Sequence, residues 1–346
     1  MRFLRRSETE RDAPRDFWTW WSANRDRVRQ AIDAGGFDDR LINEIAAAVR
    51  TVHPALGWEL EPGKASQHAF CVSPEGNAEV RQAAIRWLAG APPADATWEY
   101  HASKQAAARL MGLEVAGRRF DLEEMRAITT WDEARRRIDV RLWHPGFEGA
   151  PEQVKIQVGF VFLDSLLGED DVERWIGQID ILEAPSGGRA PAELRSEVER
   201  RTAESVGDET WIVLKGTSNA GESEVITANA ALKRIDYPFH DHHVTIDVLM
   251  GIDRPPNEVE ADLLETEQAD LIGRLGGAAI FVGRSTKVGG RTLHFVTEDP
   301  DGMRPAIDGW AAEIPDSLSE GQPQRRLKIN FDHDMDWSFQ RELGIR

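Results

Sequence analysis

The chain contains a single cysteine, Cys71, so no intrachain disulfide can form. It lies in the apolar stretch His68 to Val72, where a thiol is expected to be buried and inert. No segment approaches the ~18 consecutive apolar residues of a membrane span. The basic start, Met1 to Ser7, has no apolar run of signal-peptide length behind it. The expectation is a soluble, cytoplasmic protein with no membrane partner. Also missing are a glycine-rich phosphate loop, a Gly-x-Ser-x-Gly elbow, a dinucleotide fingerprint and a His-Glu-x-x-His helix. Positive charge is scarce: 42 Lys and Arg against 60 Asp and Glu leave a formal charge of -18. That balance repels phosphate backbones and disfavours nucleic acid, whereas a basic protein partner suits it.

What is present is globular. At 346 residues the length suits two domains, and apolar residues make up 41% of the chain. Twelve Trp stand against two Tyr, a ratio that points to core and interface anchoring. The fold class read from the pattern is α+β, with an N-terminal domain over 15–183 and a C-terminal one over 209–346. Residues Met1 to Pro14 lack apolar periodicity and read as a mobile arm, with order beginning near Asp16.

Phe17, Trp21, Val28 and Ile32 recur at helical spacing, and Leu41, Ile42, Ile45, Val49 and Val52 mark a second helix. Alternation in Leu56, Trp58, Leu60 and in Phe70, Val72 gives two strands around Pro62-Gly-Lys64. A helix through Val80, Ala84 and Trp87 and a strand over Thr97 to His101 follow. Arg137 to Trp143 and Lys155 to Phe162 read as strands, and Leu166 to Ile176 as a short helix opened by Gly168-Glu-Asp-Asp171. Glu183 to Asp208 reads as a linker, with Pro191 to Ala203 as a solvated helix inside it.

The C-terminal pattern is clearer. His242 to Val248 alternates as a strand; Asn257, with Glu260 three residues on, caps a helix through Leu264, Leu271 and Leu275. Ala279 to Arg284 and Thr292 to Thr297 are strands joined by Lys287-Val-Gly-Gly290, whose glycines suit a tight hairpin. A helix through Met303, Ile307 and Trp310 and a strand over Leu327 to Phe331 complete a strand, helix, strand, strand, helix, strand order, that of the ferredoxin-like split βαβ. A related helix, strand, strand, helix, strand series occupies Asp38 to His101. Trp87-Leu-Ala-Gly-Ala-Pro92 matches Trp310-Ala-Ala-Glu-Ile-Pro315 in Trp, Ala and Pro at equal offsets, which suggests an internal repeat.

Trp211 to Leu343, with Asp236-Tyr-Pro238, the Gly289-Gly290 hairpin and Asp336-Trp337, resembles the DUF695 family of bacterial proteins of unknown function. An N-terminal stretch often joined to that family is carried by Phe17-Trp-Thr-Trp20, Cys71-Val-Ser-Pro-Glu-Gly76, Ala91-Pro92 with Trp98, and Leu163-Asp-Ser-Leu-Leu-Gly-Glu169. Pro74 departs from the small residue expected there. The resemblance implies an architecture and supplies no catalytic residues.

Candidate chemistry is thin. Strand alternation puts His240 and His242 on the side of Val244, and His333 on the side of Phe331, so the three imidazoles are expected to converge at one helix-covered rim. Such a trio could hold zinc or another divalent transition metal. Asp241, His243, Asp332 and Asp334 are expected to face the other way. In the quartet Phe17, Trp18, Trp20, Trp21, the first and last fit a core stripe, leaving Trp18 or Trp20 for intramolecular packing or for a partner surface. The reading that follows is a non-catalytic binding protein, of inhibitor or immunity type by analogy. The alternatives are a metal-dependent hydrolase at the histidine rim, and a regulatory module that binds a small ligand.

Overall fold

The computed structural model describes residues 8–184, 187–205, 207, 209–217, 221, 223–315 and 324–345, side chains of 8–13 excepted. Helices and several separate sheets make the chain α+β. It divides into two compact units, Met1–Thr130 with Ile138–Arg201, and Trp131–Arg137 with Thr202–Arg346.

The first unit opens with α1 (Glu8–Asp33) and α2 (Asp39–Val52). Met1 to Ser7, half of the expected mobile arm, lie outside the described residues. The rest of it is helix: α1 begins at Glu8 and runs through Pro14, although proline removes one intrahelical donor. Asp38 caps α2 by accepting from the Leu41 N–H at 2.7 Å. The strands β1 (Gly57–Pro62) and β2 (His68–Ser73) form a hairpin; α3 (Ala78–Ala89) then leads to β3 (Trp98–His101), which pairs parallel with β2. One face of this sheet is aromatic. Phe17, Trp21, Phe70, Trp87 and Trp98 are all sealed from solvent between the sheet and the three helices.

A hairpin of β4 (Gly112–Val115) and β5 (Arg118–Asp121) follows, then β6 (Arg126–Asp132), β7 (Arg137–Trp143), α4 (Glu152–Leu167), α5 (Glu169–Trp175), β8 (Ile176–Ile181) and α6 (Pro191–Glu204). Lys155 to Phe162, expected as a strand, is the middle of α4. Val154, Val158 and Phe162 fit a two-residue period and a four-residue helical step equally well. The intervening Ile156 and Phe160, 41% and 49% exposed, fall off the buried stripe. The expected linker also contains more order than its charge suggested. α6 buries Leu194 and Val198, and Arg195 donates to the Leu166 and Ala107 carbonyls at 3.1 Å.

The second unit holds β9 (Trp211–Thr217), β10 (Ser223–Asn229), β11 (His242–Leu249), α7 (Glu258–Leu275), β12 (Ile280–Lys287), β13 (Gly290–Thr297), α8 (Pro300–Glu313), β14 (Arg326–His333) and α9 (Ser338–Glu342). Its sheet runs β14-β11-β13-β12-β10-β9, every neighbour antiparallel. The capping box of Asn257 and Glu260 forms as the sequence predicts. At the β12–β13 turn Gly289 and Gly290 have φ of 87° and 154°. A Cβ on Gly290 would stand 2.0 Å from the Val248 carbonyl oxygen, so only glycine fits.

The two faces of this sheet are covered on opposite halves. On one, α7 and α8 bury Val244, Ile246, Leu293 and Phe295 against Leu264, Leu271 and Trp310. On the other, Phe339 of α9 and the residues beside it pack on Ile212 and Ala228, while Trp337 packs with Val282 and Val296. β9 and β10 went unread in the sequence because Trp-Ile-Val-Leu214 is apolar at every position and gives no two-residue alternation.

The repeated series occurs in both units with different pairing. β3 lies directly beside β2, whereas β11 separates β13 from β14. Among the described residues no strand of β11's kind precedes α2, and the first sheet pairs β2 directly with β3. Trp87 and Trp310 are both buried helix residues.

Candidate functional site

The face of the first unit's sheet opposite its aromatic core is ionisable. Alternation turns Trp58 and Leu60 inward and leaves Glu59 and Glu61 on the second face, beside Cys71 and Ser73 of β2 and Glu99 and His101 of β3. The start of α5 and the loop after β3 supply Glu169 and Lys104. Glu169 is buried and organises this corner: it accepts from Ser73 Oγ at 3.0 Å, the Gly76 N–H at 3.1 Å and the Lys104 N–H at 3.3 Å. The acidic start of α5 therefore ties together chain segments far apart in sequence. Glu99 has a structural role too. The Lys64, Ala65 and Ser66 N–H groups converge on its carboxylate, and with His101 they overcome burial and hold it down at about 2.

The remaining carboxylates outnumber the lysines that act on them, Lys104 and Lys64. Lys104 Nζ lies 2.5 Å from Glu59. Burial raises the pKa of Glu61, and the charge of Glu59 and a hydrogen bond to it add to the rise. Burial likewise pushes Asp164 of α4 up to about 6, with Glu169, Glu59 and Glu75 reinforcing the shift and Lys104 opposing it. Next to this cluster a cleft of about 340 Å³ is lined by Arg50, Leu56, Trp58, Glu59, Ser73 and Glu75 among others. Gly57 lets Glu75 in, since a Cβ there would stand 3.0 Å from its Oε1. Cys71 is no nucleophile: its thiol donates to the Ser103 carbonyl at 2.9 Å, and burial among carboxylates drives its pKa far up.

The residues singled out from sequence lie elsewhere. Trp18 is in the aromatic core: it stacks on Trp87 at 4.6 Å, donates to the Trp87 carbonyl at 2.7 Å and is 7% exposed. Trp20 packs half-buried against the same core. Trp18 thus belongs to the core of its own unit and has no surface to offer a partner, whereas Trp20 keeps part of its ring exposed.

The histidine rim is split. His242 and His333 are direct cross-strand partners with rings 5.4 Å apart. His240 is not with them; its ring sits 5.4 Å from that of Tyr237, and its carbonyl accepts from Trp337 Nε1 at 2.8 Å. Alternation failed at His240 and Asp241 because β11 begins only at His242. Asp241, expected to point away, lies 2.8 Å from His242 Nδ1 and 3.9 Å from His333 Nε2. Among the described residues no group of three or more His, Cys, Asp or Glu is arranged to hold a metal.

A second histidine pair was not foreseen. His243 Nε2 and His294 Nδ1 are 3.1 Å apart, His294 Nε2 is 3.4 Å from Ser285 Oγ, and Phe339 stacks on His294 at 3.9 Å. Burial lowers both pKa values, that of His294 to about 3. The serine is buried under α9 and Asp334 stands 3.9 Å from His243, so the arrangement fills a core rather than presenting a nucleophile. His243 and His294 both point to the same face of paired strands, a register the sequence gives only once β11 and β13 are known neighbours.

No described helix is long and apolar enough to cross a membrane. No family model matches the chain, and no curated protein and no solved structure matches it either.

Proposed function

We propose that this chain is a non-catalytic protein that binds a basic segment of another protein on the carboxylate face of its first unit. The observation that carries the reading is the surplus of Glu59, Glu61, Glu75 and Asp164 around Lys104, two of them with raised proton affinity. A buried carboxylate short of cations gains most when a Lys or Arg side chain arrives, and the net charge of -18 would steer such a partner in. An inhibitor or immunity-type role fits this electrostatics by analogy. The second unit's β14-β11-β13-β12 order supports a ferredoxin-like core extended by β10 and β9, and it suits the resemblance to DUF695.

Binding of a cation is expected to displace protons from Glu61 and Asp164. Calorimetry of lysine- and arginine-rich peptides, run in two buffers of different ionisation enthalpy near pH 6, measures that release. Affinity should fall with salt and in a Glu59→Gln, Glu61→Gln, Asp164→Asn variant. Equal binding by that variant, or no binding of any basic peptide at low salt, would sink the reading. The cleft beside the cluster favours one second reading, in which the ligand is a small cation-bearing molecule; its volume is at the lower end for ligand sites.

A further inference from the structure

β9 is the outer strand of the second unit's sheet, and among the described residues no strand pairs with its free edge. Pairing with β10 begins before Trp211, because the Thr210 carbonyl accepts from the Ala230 N–H at 2.8 Å. The paired segment therefore includes Thr210-Trp-Ile-Val-Leu-Lys215, and Glu209 directly precedes it. Trp211, Val213 and Lys215 point to the face that carries Val225 and Thr227 of β10. Trp211 leans on Phe281 at 5.6 Å, at the margin of the core under α7 and α8, and Trp211, Val213 and Val225 are 40%, 62% and 37% exposed.

An edge strand with a bare apolar face invites pairing with another chain unless charge, proline or a bulge blocks it. The charges here do not block; they match. Lys215 shares the face of Trp211 and Val213, and exposed Glu209, one residue before the paired segment, joins that face when pairing with a second copy extends the strand to it. Turned end for end about Ile212, a second strand sets its Lys215 opposite Glu209 and its Val213 opposite Trp211, and then the reverse. All four pairings keep like face to like face, since every partner differs by an even number of positions.

We infer that β9 pairs antiparallel with β9 of a second copy across a two-fold axis through Ile212, joining two six-stranded sheets into one. The interface is isologous, as closed dimers require. Its cross-strand contacts are two Glu–Lys pairs and two Trp–Val pairs, combinations that favour antiparallel neighbours. The charge of -18 on each copy opposes association, so the dimer is reversible and depends on concentration. Arg284 and Arg291 share Glu265 in the rows behind the Lys215 end, which makes an acidic, apolar peptide the competing occupant of the same edge.

The test is sedimentation velocity on the full chain across a wide range of concentration. The wild type should pass from monomer to dimer. Lys215→Glu opposes glutamates at both ends and should weaken the dimer by about tenfold or more. The charge swap Glu209→Lys with Lys215→Glu should restore it, an outcome that a merely misfolded variant would not give. Three results overturn the proposal: a monomer at every concentration, a dimer indifferent to Lys215→Glu, or no recovery in the swap. A monomer whose Trp211 fluorescence responds to an alternating acidic and apolar peptide likewise assigns the edge to another partner.

Discussion

Acid should loosen the second unit through His294. The ring is enclosed by His243, Ser285 and Phe339, and burial holds its pKa at about 3 against 6.5 in an unfolded chain. Below pH 6.5 the unfolded chain takes up a proton that the folded one refuses. The stabilisation is therefore complete above 6.5 and is lost as pH falls from there towards 3. At about 1.4 kcal/mol per decade the loss is about 2 kcal/mol at pH 5 and about 3 kcal/mol at pH 4. His243 shifts in the same direction and adds to it; Asp334, Asp332 and Glu342 soften its share by favouring its charged form. Hydrogen exchange of the β13 amides, measured from pH 7 to pH 4 on the wild type and on His294→Gln, isolates the effect from the chain's many carboxylates. The variant should start about 1 kcal/mol weaker at pH 7, from its lost hydrogen bond, and then fall more slowly with acid. Identical slopes, or a His294 pKa near 6.5 by NMR, would refute the argument.

Three further outcomes follow from buried contacts. Asp164→Asn should stabilise the first unit by about 2 kcal/mol at pH 8 and by little at pH 4, because the raised pKa of Asp164 makes its charged form costly only as pH climbs past 3.8 towards 6; chemical denaturation at the two pH values checks it. Glu267→Gln strips the counter-charge from Arg325, whose side chain is 2% exposed and bonded at 2.8 and 2.6 Å, and should cost about 3 to 5 kcal/mol, while Glu267→Met with Arg325→Met recovers much of it. Trp18→Ala should cost about 3 to 5 kcal/mol in the unfolding of the first unit, and Trp18→Phe only about 1 kcal/mol for the lost bond to the Trp87 carbonyl.

The elements legible in the sequence were those whose two faces differ. β11 and β14 alternate because helices cover one face and the other is polar, and α7 announces its start through Asn257. β9 was unreadable for the opposite reason: Ile212 is covered, yet Val213 on the other face is exposed and apolar as well. α4 was misread because three valines and phenylalanines at four-residue steps satisfy both periods. The carboxylate face was hidden more deeply. Glu59, Glu61, Asp164 and Glu169 come from one strand and two helices whose adjacency only tertiary pairing creates, and single glutamates in a strongly acidic chain draw no attention. The histidine rim, by contrast, was conspicuous in sequence and was half right: β11 and β14 bring His242 and His333 together, but His240 precedes the strand that was meant to orient it.

The placement of β11 also bears on the order in which the molecule is made. In the first unit β1, β2 and β3 find one another within a stretch from Gly57 to His101, through one hairpin and one crossover by α3. In the second, β11 must wait for β14, and His242 meets His333 only after two helices and a hairpin have intervened. Long loops close slowly, and the β11–β13, β11–β14 and β10–β12 pairs each depend on one such closure. The first unit is thus expected to reach its native pairing well ahead of the second, leaving the β12–β13 hairpin, pinned by Gly290, as the seed on which the later strands assemble.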